Sequence, residues 1–160
     1  MLLPFLKNES TVITALAEQS LIRSFNDSDE KHAIDAIRRL LPAAERSGVA
    51  MHLETSLNPD RFMALLGKLE HPLVKVNYDI GNSASLGYRP SYEFAAYGPR
   101  IGSVHIKDRE LRAATVPLGT GDADFAAVFE NLERVGYAGD FILEVARGAS
   151  GDELASAMSN

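Results

Sequence analysis

Apolar and polar positions along this chain follow two distinct periods. Short apolar runs of strand length fall at 1–6, 49–55, 73–79, 101–106 and 140–146, and stretches with apolar residues at helical spacing separate the later ones. The clearest helix is predicted over 27–48. There Ile34, Ile37, Leu40, Leu41 and Ala44 recur on one face, "DSDE" supplies acidic N-terminal residues, Gly48 supplies a stop, and Pro42 predicts a kink. Asn58 and Pro59 open a second helix that runs to 69, with Asn58 as cap and Pro59 at the first helical position. A third is predicted over 124–135, with Phe125, Val128, Phe129 and Leu132 on one face. Shorter helices are expected near 91–97 and over 10–24, and the C-terminal "ASGDELASAMSN" is expected to fray. With no linker rich in Pro, Gly or Ser, residues 1–160 read as a single domain.

Strands separated by helices imply a parallel sheet, which is covered on both faces. A period of two then sorts each strand. Met51, Leu53 and Thr55 oppose His52 and Glu54; Val74, Val76 and Tyr78 oppose Lys75, Asn77 and Asp79; Val104 and Ile106 oppose Ser103, His105 and Lys107. In "FILEVARG", which reads as a buried strand, Phe141, Leu143 and Val145 oppose Ile142 and Glu144. Each strand thus turns an apolar face one way and an ionisable residue the other, near its C-terminal end. If the sheet curls, the four ionisable residues converge where a TIM barrel keeps its chemistry.

Composition narrows what that convergence can be. Of the 160 residues, 46% are hydrophobic and 24% charged, as in an ordinary globular domain. There is no cysteine, so any metal must be held by His, Asp and Glu. A formal net charge of −6 without runs of Lys or Arg argues against a nucleic-acid partner. No apolar stretch approaches the roughly 18–20 residues of a bilayer span, and "MLLPFLKNE" turns polar too soon for a signal peptide, so the expected compartment is the cytoplasm, with no membrane partner. Three carboxylates and an imidazole at one point repel unless a cation joins them. Glu54, Asp79, His105 and Glu144 around a divalent ion would form a hard, oxygen-rich site suited to Mn, Mg or Co, and zinc also accepts such ligands. The bland reading of Glu144 is a buried carboxylate paired with Arg147 or Lys107. For His52, one layer deeper than Glu54, it is packing or support of a neighbour.

The ordered segments "LLPFLKNES", "MHLETSL", "NYDIGNS", "VHIKD", "VPLGTGDADF" and "ILEVARG" resemble the xylose isomerase-like TIM barrel superfamily, and within it the sugar and sugar-phosphate isomerases and 3-epimerases such as those acting on L-xylulose 5-phosphate or L-ribulose 5-phosphate. The resemblance implies an α/β fold made of the C-terminal part of a (β/α)8 barrel, about five βα units corresponding to strands 4–8. It also implies that Glu54, Asp79, His105 and Glu144 are the metal ligands and that Glu54 and Glu144 are the catalytic acid–base pair. Lys107 and Asp108 would lie beside the substrate or one layer behind it, supporting residues that touch it, and Asn82 would line the same mouth. Arg147 joins Arg109, Arg112 and the 119–121 glycine loop as candidate donors to a substrate phosphate. In such an enzyme a metal polarises a ketose carbonyl, the adjacent C–H becomes acidic, and two glutamates move the proton through an enediolate. Related alternatives are a metal phosphoesterase like endonuclease IV, for which Asn82 stands where a histidine would be expected, a keto-inositol dehydratase, and a truncated half-barrel without turnover. A complete barrel needs about 250 residues. The expectation is therefore an incomplete barrel beginning at its fourth strand: a fragment, a truncated gene product, or a chain completed by a homo-oligomer or a partner chain.

Overall fold

The computed structural model describes residues 27–144. The expected strand at 1–6, the helix over 10–24, Arg147 and the C-terminal tail lie outside the described residues. Helix α1 (Asp27–Ser47) continues through Pro42. It is followed by β1 (Met51–Leu53), α2 (Pro59–Gly67), β2 (Val74–Asp79), α3 (Ile80–Leu86) and α4 (Pro90–Tyr97). A 3-10 turn over Gly98–Arg100 leads into β3 (Ile101–Ile106), the short strands β4 (Asp108–Arg109) and β5 (Thr115–Val116), α5 (Phe125–Arg134) and β6 (Asp140–Leu143). None of these helices is long and apolar enough to cross a membrane.

The main sheet has the order β1-β2-β3-β6 and every pairing in it is parallel. Local chemistry explains the elements that lie between the strands. Asn58 caps α2 by accepting the Arg61 N–H, with Pro59 at the first helical position, and Asp124 caps α5 by accepting the Ala127 N–H. The apolar faces predicted for β1, β2 and β3 meet these helices. Met51, Leu53, Val74, Val76, Tyr78, Ile101 and Val104 share one core with Phe62, Leu65 and Leu66 of α2, Phe94 and Tyr97 of α4, and Val128 and Leu132 of α5. Edge-on ring contacts, Phe62 with Tyr97 at 5.1 Å and Tyr78 with Phe94 at 5.0 Å between centroids, tie α2, α4 and β2 together.

One expectation fails at the sheet's edge. Residues 140–143 form a strand, but it is exposed: Phe141 and Leu143, on the helix side, are 50% and 52% accessible, and Ile142, on the inner side, is 37%. Among the described residues β6 has a strand only on its β3 side, and of its apolar residues Phe141 meets the rings of Phe129 on α5 and Tyr137 without being covered by them.

Register decides which side chains share the inner face. Val76 pairs with Ile101, but Asn77 pairs with Ser103, so Gly102 is an extra residue in β3. A Cβ at Gly102 would stand 2.7 Å from His52 Nε2 and 2.8 Å from the Lys75 Cβ, so only glycine fits the bulge. Because side-chain direction alternates with a period of two, this one-residue insertion puts Ser103 and His105 on the same side as Asn77 and Asp79. Without it, Asp79 would lie beside Val104, and His105 would face the helices.

Candidate metal centre

Asp79 is the last residue of β2 and also the cap of α3. Its Oδ1 accepts the Asn82 backbone N–H at 2.8 Å. This fixes the carboxylate in the strand-to-helix corner and leaves Oδ2, which is buried and lacks a hydrogen-bond partner. Glu54 follows β1. Its Oε2 accepts from Asn77 Nδ2 and its Oε1 from Asn82 Nδ2, both at 2.7 Å. His105, on β3, turns Nδ1 toward three carboxylates, at 3.0 Å from Glu144 Oε2, 3.7 Å from Glu54 Oε2 and 3.9 Å from Asp79 Oδ2. That nitrogen either donates a proton to Glu144 or, deprotonated, offers its lone pair to a cation.

Glu54, Asp79 and His105 each present one ligand atom within 4.8 Å of the others, and all three residues are buried. Glu144 stands at the margin of this group. Its backbone N–H extends the β3–β6 ladder to Ile106 O, and its carboxylate binds His105 through Oε2 and Lys107 Nζ through Oε1 at 2.5 Å. The sequence pattern therefore brings all four residues to one place. The tight cluster contains three of them, and Glu144 also has the lysine pairing that its bland reading proposed. Lys107 reaches inward as well, 3.5 Å from Asp79 Oδ2.

The electrostatics of the four acids and bases differ in direction. Burial, then the Asp79 charge, push the Glu54 carboxyl above its ordinary range despite hydrogen bonds from Asn77 and Asn82. Burial likewise raises Asp79 against the pull of Lys107 and the Asn82 N–H. At Glu144 burial acts in the same sense, but Lys107 and His105 outweigh it and hold the carboxyl below its usual range. For Lys107, burial disfavours the ammonium, and Asp79 and Glu144 more than restore it. A buried carboxylate oxygen without a partner is costly. Asp79 Oδ2, facing a second carboxylate and an imidazole with the Lys107 ammonium 3.5 Å away, therefore fits a divalent cation: the donor set is hard and oxygen-rich, and the ion would supply the close partner that Oδ2 lacks.

Other expected site residues have roles more internal than the sequence suggested. Asn82 is tied at both ends, donating to Glu54 and accepting from Arg109 Nη1 at 2.8 Å. Arg109 is itself buried and also donates to Ala113 O, so it orients Asn82 in place of the phosphate contact expected of it. For Asp108, the place beside the substrate gives way to the supporting place that was its other expectation. It is 1% exposed and its carboxylate accepts the backbone N–H groups of Gly119, Gly121 and Ala123. A Cβ at Gly121 would come within 2.3 Å of Asp108 Oδ1, so that glycine is the condition for the contact. The N–H groups of Gly119 and Gly121 are thereby spent on a carboxylate inside the protein, and Asp108 anchors the 117–123 loop instead of lining the mouth. Arg112 is exposed.

Sequence reasoning missed the chain of contacts beneath the cluster. His52 Nδ1 lies 2.8 Å from Ser103 Oγ, Ser103 Oγ donates to Asn77 Oδ1 at 2.6 Å, and Asn77 donates to Glu54. His52 is thus linked to Glu54 through two side chains, which matches the supporting role considered for it. The signal was present as a polar residue at each inward position of β1, β2 and β3.

A family model described as "Xylose isomerase-like TIM barrel" matches residues 10–159. The chain belongs to this family. L-ribulose-5-phosphate 3-epimerase UlaE of Shigella boydii is 27% identical over 126 residues, which are 75% of this chain and 44% of the enzyme. Among solved structures, a xylose isomerase domain protein from Planctomyces limnophilus superposes with a TM-score of 0.71 at 22% identity, over 84% of this chain and 51% of that one. The IOLI protein with a bound zinc atom gives 0.67 at 20% identity, over 81% and 54%. At these identities the structural likeness is one of fold. The chain spans about half the length of the relatives it matches, which accords with a four-stranded parallel segment of a barrel.

Proposed function

We propose that this chain carries the metal-binding and acid–base part of a sugar or sugar-phosphate isomerase or epimerase. The observation that carries the reading is the buried Asp79 Oδ2, which has no hydrogen-bond partner and lies in a group with Glu54 and His105 whose ligand atoms all fall within 4.8 Å. Glu144 would complete the ligand set from the open side. When bound, a divalent ion such as Mn²⁺, Mg²⁺, Co²⁺ or Zn²⁺ would polarise a substrate carbonyl and stabilise negative charge developing on its oxygen. The family, the 3-epimerase relative and the zinc bound by a structural neighbour all support this reading.

The two glutamates are held in opposite ways. Glu54 is buried and gripped by two amides, so it favours its protonated form more than an ordinary glutamate does. Glu144 is half-exposed and faces the Lys107 ammonium and the His105 ring, so it favours the carboxylate. Such a divergence suits a pair in which one member takes a proton from the carbon next to the carbonyl while the other returns or supplies one. Lys107, beside Asp79 and Glu144, would face the substrate's reacting oxygens. The exposed β6 edge supports completion of the barrel by further polypeptide, a second copy of the chain included, and light scattering coupled to size exclusion would read the assembly directly.

The deciding experiment offers ketoses and ketose phosphates in deuterated water with Mn²⁺ and follows exchange at the carbon beside the carbonyl. Exchange in the wild type that is lost in Glu144→Gln supports the proposal. A chain that gains no thermal stability from Mn²⁺ and catalyses no exchange with any of these substrates would overturn it.

A further inference from the structure

One buried carboxylate has no part in the chemistry described above. Glu93, on α4, is 2% exposed, and among the described residues its partners are hydroxyl groups, with no ion pair. Tyr97 OH donates to Oε1 at 2.8 Å. Tyr78 OH donates to Oε2 at 2.9 Å, and Ser83 Oγ donates to the same oxygen in a short contact. Stability alone gives little reason for a carboxylate here, because an apolar residue of similar shape avoids the desolvation cost.

The partners differ in what they connect. Tyr97 lies one turn from Glu93 on the same helix, so its bond joins no second element. Tyr78 and Ser83 lie on β2 and α3 and flank the corner between those elements: Tyr78 immediately precedes Asp79, and Ser83 immediately follows Asn82. Inside that corner are the Asp79 carboxylate, whose Oδ2 faces the cluster, and the Asn82 amide, which holds Glu54. A cavity of about 20 Å³ is lined by Glu54, Asp79 and Asn82 as well as by Tyr78, Ser83 and Glu93, so the two clusters are neighbours.

We infer that Glu93 is a positioning residue: by accepting from Tyr78 and Ser83 through a single oxygen, it clamps the β2–α3 corner and sets the direction in which Asp79 and Asn82 face the metal centre. The inference rests on the metal reading of Glu54, Asp79 and His105. Ligand distances in metal sites tolerate only a few tenths of an ångström, so a corner that drifts costs affinity before it costs the fold.

The test compares Glu93→Leu, the double variant Tyr78→Phe with Ser83→Ala, and Tyr97→Phe in the full chain. Two readouts are used: Co²⁺ titration followed by its visible absorption, and hydrogen exchange of the Asn82 amide, which needs no metal. Glu93→Leu and the double variant should each weaken Co²⁺ binding at least tenfold, alter its spectrum and cut Asn82 protection at least tenfold. Tyr97→Phe should lower the melting temperature while leaving both readouts within twofold. A double variant that keeps Co²⁺ affinity and Asn82 protection within twofold of wild type overturns the inference. If wild type takes up no Co²⁺ the metal reading falls, and Asn82 protection still judges the clamp by itself.

Discussion

Replacing Lys107 with methionine keeps most of the apolar stem and removes an ammonium that touches both Asp79 and Glu144. The two contacts carry unequal weight. Glu144 is 43% exposed at its side chain, so water screens that contact and its share is within the 0–1 kcal/mol of a surface pair. Asp79 is 1% exposed, with the ammonium 3.5 Å from an oxygen that has no hydrogen bond. Breaking a fully buried pair costs about 3–5 kcal/mol, but the 3.5 Å separation and the relief of burying the Lys107 charge reduce this. A net loss of roughly 2 kcal/mol is expected for Lys107→Met in EDTA at neutral pH, or about 4–8 °C in melting temperature for a chain of this size. Saturating Mn²⁺ should close at least half of that gap, because the ion supplies the same carboxylates with positive charge. Thermal unfolding with and without Mn²⁺ reads both quantities. A variant as stable as wild type in EDTA would show that Lys107 does not compensate Asp79. A gap that Mn²⁺ leaves unchanged would show that ion and ammonium do not share these carboxylates.

Asp108→Ala removes the acceptor of three backbone N–H groups, and charge-assisted bonds of this kind point to a loss of about 2–4 kcal/mol; urea unfolding should show it, with faster proteolysis over 117–123, and an unchanged cleavage rate refutes the anchor. Gly102→Val places a side chain against His52 and Lys75 in a paired strand, costing about 1–3 kcal/mol and weakening the Mn²⁺ response; full Mn²⁺ stabilisation in this variant would show that the bulge is not needed to aim His105. Burial raises the folded pKa of Glu93 above its unfolded value near about 4.3. The folded chain therefore binds more protons at this site than the unfolded one, and its stability falls as pH rises from the unfolded value through the raised one. Glu93→Gln has no such slope, so its stability deficit against wild type should be smaller at pH 8 than at pH 5, and a deficit that grows with pH contradicts the sign.

The fold was legible wherever a segment's two faces differ. The inward and outward sets assigned to β1, β2 and β3 are visible in the structure, since Met51, Val74, Val76 and Val104 enter the core while His52 and Asn77 are joined through Ser103 on the other side. Boundaries were less legible. Helix α2 stops at Gly67 and not at 69, and α3 was missed because "IGNSASL" has no apolar stripe and follows directly on the last residue of a strand. It exists because Asp79 caps it, a tertiary detail that a window of hydrophobicity does not register. The exposure of β6 was misjudged for the opposite reason. "FILEV" has the composition of a core strand, but burial depends on which layers surround it.

Chemistry at the site was legible in kind but not in allocation. A carboxylate or imidazole at the end of each strand marked the place, because position along a parallel strand and facing follow from chain order and a period of two. How those groups divide the available partners does not follow from either. Asp108 and Asp79 illustrate the point. Both are aspartates at the C-terminal end of the sheet, and both are nearly inaccessible. Three loop N–H groups satisfy the carboxylate of Asp108, whereas one N–H engages Oδ1 of Asp79 and Oδ2 has none. The sequence places glycines at 119 and 121, close enough to approach a carboxylate, and a helix immediately after 79, but only the three-dimensional corner shows which oxygen each leaves over. An acceptor in a buried acidic cluster that has no hydrogen bond and only the Lys107 ammonium at 3.5 Å is suited to a cation, and that feature, more than the count of acidic residues, separates the proposed metal-centre reading of Asp79 from the loop-anchor role of Asp108.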